Sequence, residues 1–155
     1  MTDTLRELLK QRDATSHAID AGTQMHEKMR HVFIDGNDVR GDADIIQKIT
    51  AHKELLQFFD TNSQTEVPVA GFVRGKFISR RIDRMVINHN AKTIMILDYK
   101  TDAKPDENRA AYHAQVAEYM ELLHMIHPDY TVRGFILRLH NFGLESVQYN
   151  LETGR

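Results

Sequence analysis

Apolar residues recur at three- and four-residue intervals in the first third of the chain, then change near residue 66 to short, strand-like runs. Helices are therefore expected first and a sheet afterwards. The opening segment, Thr2 to Arg12, reads as a polar helix with Leu5, Leu8 and Leu9 on one side. A second helical segment starts near Asp13 or Ser16 and reaches about Phe33. Its stripe carries Ala18, Ala21, Met25, Met29, Val32 and Phe33. Asp35-Gly36-Asn37-Asp38 has the chemistry of a loop. Asp42 or Asp44 is placed to cap a third helix, whose inner side holds Ile45, Ile49, Leu56 and Phe59.

Three strands follow: Glu66 to Phe72, Phe77 to Ile87, and Thr93 to Tyr99. They are joined at Arg74-Gly75-Lys76 and at Asn88-His89-Asn90-Ala91, both suited to tight antiparallel turns. The unbroken apolar run Ile94-Met95-Ile96-Leu97 fits a central strand covered on both faces. A helix is expected from about Glu107, after Pro105, to His124, with Pro128 closing that region. Val132 to Leu139 is a further strand, and Leu144 to Tyr149 can pair with it across Asn141-Phe142-Gly143. This order predicts a single α/β domain over residues 1–155, with a central mixed sheet flanked by helices.

Bulk composition narrows the chemistry. Formal net charge is −2, so any nucleic-acid contact has to use a local basic patch rather than gross charge. The chain has no cysteine, which excludes disulfides, thiolate zinc and cysteine-ligated iron–sulfur clusters. No apolar run is long enough to span a membrane, and a cytoplasmic protein is expected.

The candidate chemistry lies where the strands end. Asp98 and Lys100 are two apart and project to one face of a strand end. A hairpin would set Asp83 beside Asp98, and two carboxylates with a backbone carbonyl make a partial shell for Mg²⁺. A lysine there can stabilise charge growing on a phosphate. Gln115 and Tyr119 share one side of the following helix, with Tyr112 on the same side. His26, in Gly22-Thr23-Gln24-Met25-His26, can offer a neutral imidazole. Arg74, Lys76, Arg80, Arg81 and Arg84 form a basic segment. It reads either as a DNA-backbone track or as a solvated edge that discourages strand aggregation.

Gly22-Thr23-Gln24-Met25-His26, Glu66-Val67-Pro68, Ile82-Asp83-Arg84, Asp98-Tyr99-Lys100-Thr101 and Gln115-x-x-x-Tyr119 occur in that order over roughly residues 16–140. This series resembles the PD-(D/E)XK nuclease superfamily, and within it the C-terminal nuclease domains of RecB and AddA helicase subunits. Arg80, where that family often has Gly, is the one departure. The resemblance implies a restriction-endonuclease-like core (α-β-β-β-α-β) and a domain that is either free-standing or cut from a larger helicase–nuclease. It implies a Mg²⁺-dependent DNA exonuclease, with Mn²⁺ as substitute, no iron–sulfur cluster, and a helicase domain or subunit as partner. His26, Asp83, Asp98 and the Tyr99 carbonyl would hold metal, and Lys100 would be the catalytic lysine. Glu66 would lie at the rim, while Gln115 and Tyr119 would support substrate. The rival expectation is a catalytically silent nuclease-like domain that binds DNA or a partner.

Overall fold

The computed structural model describes residues 3–102 and 107–151, with side chains for all of these except 3 and 13–21. Thr2, Pro105 and the side chains of Asp13, Ser16, Ala18 and Ala21 lie outside the described residues. The two helices expected before Phe33 are one continuous helix, α1 (Asp3–Arg30). Neither proline nor glycine flanks the Arg12–Asp13 junction, so nothing interrupts the hydrogen-bond ladder there. The expected loop at residues 35–38 is the turn of a small antiparallel hairpin, β1 (Phe33–Asp35) and β2 (Asp38–Arg40). Asp42 caps α2 (Ala43–Ala51) by accepting the Ile45 N–H at 3.1 Å. Phe59 lies beyond this helix, after a 3₁₀ turn (Lys53–Phe58).

The sheet has five strands in the order β3 (Gln64–Val73), β4 (Lys76–Asn88), β5 (Thr93–Lys100), β6 (Thr131–Arg138) and β7 (Gly143–Val147). Only β5 and β6 run parallel, and α3 (Arg109–Ile126) forms the crossover between them. The expected architecture is therefore present: a mixed α/β sheet between helical layers. Two cores result from the alternation of side chains. On one face Ile94 and Ile96 pack with Val116, Tyr119, Met120 and Leu123 of α3. On the other, Leu97 and Tyr99 pack with Met29, Val32, Ile45, Ile49, Phe58 and Phe59. No helix among the described residues is long and apolar enough to cross a membrane.

Arg84 is the largest fully buried side chain, with 0% exposure. The expectation that it belongs to a DNA-binding track is overturned by this placement. Its Nε donates to the Tyr99 hydroxyl (2.8 Å), and Nη1 to Ser63 Oγ (2.7 Å) and the Phe58 carbonyl (3.5 Å). Nη2 donates to the carbonyls of Met29 and Val32, both at 2.9 Å. All five guanidinium N–H donors thus have an acceptor. The guanidinium lies over the rings of Phe59 and Phe33, whose centres are 4.3 and 5.1 Å from Cζ. Phe58 and Met29 sit at helix ends, where carbonyls lack helical partners and carry partial negative charge.

Replacing Arg84 by Met keeps most of the volume but removes all five guanidinium donors, although the Met29 carbonyl keeps the Val32 N–H at 3.2 Å. Breaking a buried polar network of this kind costs about 3–5 kcal/mol. Urea unfolding of Arg84→Met should show a loss of that order. A loss below about 1 kcal/mol, the net value of one ordinary hydrogen bond, would show that the network does not hold the layers together.

Candidate functional site

The β4–β5 ladder is regular from Asn88–Thr93 to Arg84–Leu97, and there its pairing ends. Beyond it, the Tyr99 N–H is taken by a side chain instead of a strand carbonyl: Asp83 Oδ2 accepts it at 2.8 Å. In an extended strand a residue's N–H and C=O point to the same side, so the Tyr99 carbonyl opens toward this gap as well. The gap lies at the C-terminal end of a central strand, where α/β sheets commonly bind ligands.

Alternation along β5 sends Tyr99 into the α1-side core and Asp98 and Lys100 toward α3. Lys100 Nζ donates to Gln115 Oε1 at 2.8 Å, and Gln115 Nε2 donates to the Tyr119 hydroxyl at 2.9 Å. The chain of bonds fixes the amide's orientation. Nζ is also 2.9 Å from Asp98 Oδ2. That approach is an ion pair outside hydrogen-bonding alignment, so this buried carboxylate oxygen has no hydrogen-bond donor. Burial, and next the nearby Asp83 charge, push the Asp98 carboxyl up to about 6. Burial, then Asp98, push the Tyr119 phenol up to about 12, so it stays protonated at neutral pH.

His26 arrives from α1. Its Nδ1 is 3.0 Å from the Gly22 carbonyl, which can only accept, so Nδ1 carries the proton. Nε2 is left facing Asp83 Oδ2 at 3.7 Å. That contact with Asp83 pushes the imidazole up to about 9 against the opposing effect of burial. Gly22 permits the approach of α1: a Cβ there would stand 3.1 Å from Thr101 Oγ1, just past Lys100.

Glu66 lies across from Asp83, between the register pairs Thr65–Arg84 and Val67–Ile82. It is half-buried and has φ 51°, a strained conformation for a non-glycine residue in a strand. The expected rim position is thus beside the carboxylates, and the signal is a backbone outlier.

Tyr112 takes Lys100 Nζ over its ring at 4.6 Å, and its hydroxyl donates to Asp102 Oδ2 at 3.2 Å. Arg138 shares that ring from 5.4 Å and is the register partner of Lys100 on β6. Sequence reasoning missed Arg138. The available signal was one cation at the end of the apolar run Phe135-Ile136-Leu137. Arg138, Arg109 and His113 all meet Glu145, at 3.3, 2.6 and 2.5 Å.

The basic segment divides. Arg84 is internal, and Arg74 is occupied by Glu121 at 2.6 Å and by the Tyr149 hydroxyl. Lys76, Arg80 and Arg81 are exposed on the hairpin.

Among the described residues no three His, Asp or Glu side chains converge as a complete ion cage. Mg²⁺ does not need one, because it is commonly held by one or two carboxylates, with waters and substrate phosphate completing its shell. The donorless oxygen of Asp98, the neighbouring Asp83, the Tyr99 carbonyl and the Nε2 of His26 fit such an open site. An imidazole that donates its other N–H to a backbone carbonyl is also the usual arrangement of a ligating histidine.

The profile of the PD-(D/E)XK nuclease superfamily matches residues 59–152, more than half of the chain. Among solved structures, the chain is similar to a Eubacterium rectale protein named as a candidate exonuclease. The identity is 16%, over 94% of this chain and 60% of that one, with a TM-score of 0.49. It is also similar to SSO0001, at 16% identity over 68% of this chain and 49% of that one, with a TM-score of 0.40. The chain therefore spans less than two thirds of the length of either structure. Comparison with curated proteins returned no match. The superfamily match covers β3 through β7 and with them Asp83, Asp98 and Lys100, and the chain belongs to the PD-(D/E)XK nuclease superfamily.

Proposed function

We propose that this chain is a divalent-metal-dependent nuclease that hydrolyses phosphodiester bonds of DNA. The observation that carries this reading is the splayed end of β4 and β5. There a buried, donorless carboxylate oxygen of Asp98 meets Lys100 and neighbours Asp83. In this reading Asp83, Asp98, His26 and the Tyr99 carbonyl hold the cation. Mg²⁺ suits the oxygen-rich donors, with Mn²⁺ as a substitute. When bound, the cation supplies Lewis acidity toward the scissile phosphate.

Lys100 places its ammonium where negative charge grows during attack on phosphorus. Gln115 holds that ammonium in place and is itself held by Tyr119, so both act as positioning residues. Glu66 contributes an acceptor at the rim. Tyr112 steadies Lys100 from the ring side, at the DNA-facing end of α3. Lys76, Arg80 and Arg81 contact the phosphate backbone without reading sequence.

The motif order, above all Gly22-Thr23-Gln24-Met25-His26 ahead of the Asp83 and Asp98 motifs, supports a finer assignment. It is that of a cytoplasmic RecB/AddA-type exonuclease working with a helicase domain or partner subunit in break repair. Retention of both Asp98 and Lys100 argues against the catalytically silent alternative.

Asp98→Asn and Lys100→Met should each lower degradation of linear DNA by roughly a hundred-fold or more, as loss of a transition-state contact does. EDTA should abolish cleavage by the unaltered protein. Circular dichroism and melting temperature of Asp98→Asn should stay near those of the parent, because removing one of two crowded carboxylates relieves repulsion. Near-parental cleavage by folded Asp98→Asn would sink the assignment.

The pKa shifts give a second test. In the metal-free fold His26 binds its proton more tightly than its ordinary 6.5. Its contribution to stability is full below 6.5 and is lost as pH rises through about 9. The Asp98 carboxyl, raised from 3.8 to about 6, contributes in the same sense and is lost through about 6. Metal-free melting temperature should therefore fall from pH 5 to 9, and the increase produced by Mn²⁺ should grow with pH. His26→Gln should flatten the limb between pH 6.5 and 9. An unchanged limb in that variant would remove His26 from the site.

A further inference from the structure

The β3–β4 hairpin runs well past the end of β5, and its two faces differ. Val69, Val73, Ile78 and Ile82 are buried against the α3 side. On the other face the register pairs are Pro68–Arg81, Ala70–Ser79 and Phe72–Phe77, and all six residues are exposed. A strand face turned to water is ordinarily polar, yet this one ends in two phenylalanines. Phe72 is 62% exposed and Phe77 58%. Their ring centres are 5.4 Å apart at 62°, an edge-to-face pair. The turn beyond them is tight, with Arg74 and Gly75 both at positive φ (51° and 77°). Such a two-residue hairpin turn matches the strand twist and holds its tip in register.

Arg81 stands on the same face as the pair, while Lys76 and Arg80, the register partners of Val73 and Val69, stand exposed on the hairpin's other face. Among the described residues none of these three has a carboxylate within ion-pair distance. The tip is joined to the candidate site by one continuous strand. Asp83 is six residues from Phe77, about 20 Å at 3.4 Å per residue.

We propose that Phe72 and Phe77 form a base-stacking platform for single-stranded nucleic acid, with Arg81, on the same face, meeting its backbone on the way toward the Asp83–Asp98 gap. In an edge-to-face pair one ring keeps an outer face open. A base can stack on that face only if it is unpaired, and stacking of this kind is indifferent to sequence. A protein partner fits less well, because two rings with one cation on their face fall far short of the roughly 1,200 Å² that stable interfaces bury. The direction of the strand rests on the nuclease reading above. Binding at the tip does not.

The test is fluorescence anisotropy with a labelled oligo-dT of roughly 12 nucleotides, within the footprint of common single-strand binders. It is run in EDTA and again in Ca²⁺, so that cutting plays no part. Phe72→Ala and Phe77→Ala should each raise Kd about five-fold or more, the effect expected of one lost stacking contact. Phe77→Leu, which keeps apolar bulk without a π face, should lose most of the same affinity. Binding of a blunt duplex and the melting temperature should be unchanged. The proposal is overturned if the wild-type protein does not bind the oligonucleotide or if either alanine variant binds as tightly as the parent. It is also overturned if leucine restores full affinity. Concentration-dependent dimerisation that the substitutions abolish, with Kd unmoved, would assign the pair to contact between copies instead. A protein that binds oligo-dT through these residues yet never degrades DNA would refute the nuclease reading and leave the platform standing.

Discussion

The Arg84 guanidinium ties together three parts of the molecule. It reaches the end of α1 through Met29 and Val32, the 3₁₀ turn through Phe58, and β5 through Tyr99. Burying a cation is costly unless every donor is matched. Here the match is complete, and it uses carbonyls at helix ends, which have no helical partner to lose. The consequence reaches the site because Asp83 is the adjacent residue and His26 lies one turn before Met29. Fixing the end of α1 against β4 and β5 sets where His26 Nε2 meets Asp83, and the Tyr99 N–H bond to Asp83 sets the carboxylate itself.

Around that anchor the candidate site is electrostatically unresolved. Two carboxylates sit close enough for Asp83 to raise the Asp98 pKa, and one Asp98 oxygen receives no hydrogen bond. Lys100 offsets part of this charge, but it is also held by Gln115 and shared with the Tyr112 ring. His26 holds a proton where a ligand would need a lone pair. Arrangements of this kind lower stability in exchange for chemistry, and a divalent cation would relieve each of them by replacing a proton or balancing a carboxylate.

The basic segment shows how one run of cations can divide into several roles. A slip of the in–out alternation between Ile82 and Arg84 turns Arg84 to the α1 side, while Arg74, at the turn, closes onto Glu121 and Tyr149. Lys76, Arg80 and Arg81 keep their charges in water. A long side chain on a hairpin has several directions open to it, and neighbours on α3 decide which is taken.

The motif residues were legible because their relations are local. Period-two alternation puts Asp98 and Lys100 on one face, and i,i+4 spacing stacks Gln115 over Tyr119. The mixed sheet was legible too, since each strand is bounded by turn chemistry and the long apolar run marks the centre. What the sequence could not reveal joins residues remote along the chain. Arg84 reads as one more surface cation until Met29, Val32 and Ser63, all more than twenty positions away, close around it. The strain at Glu66 and the stacking of Arg138 on Tyr112 likewise depend on strand and helix placement. Periodicity along the chain determined which residues share a face. Only tertiary packing decided which charges are buried, because burial depends on what arrives from elsewhere to cover them.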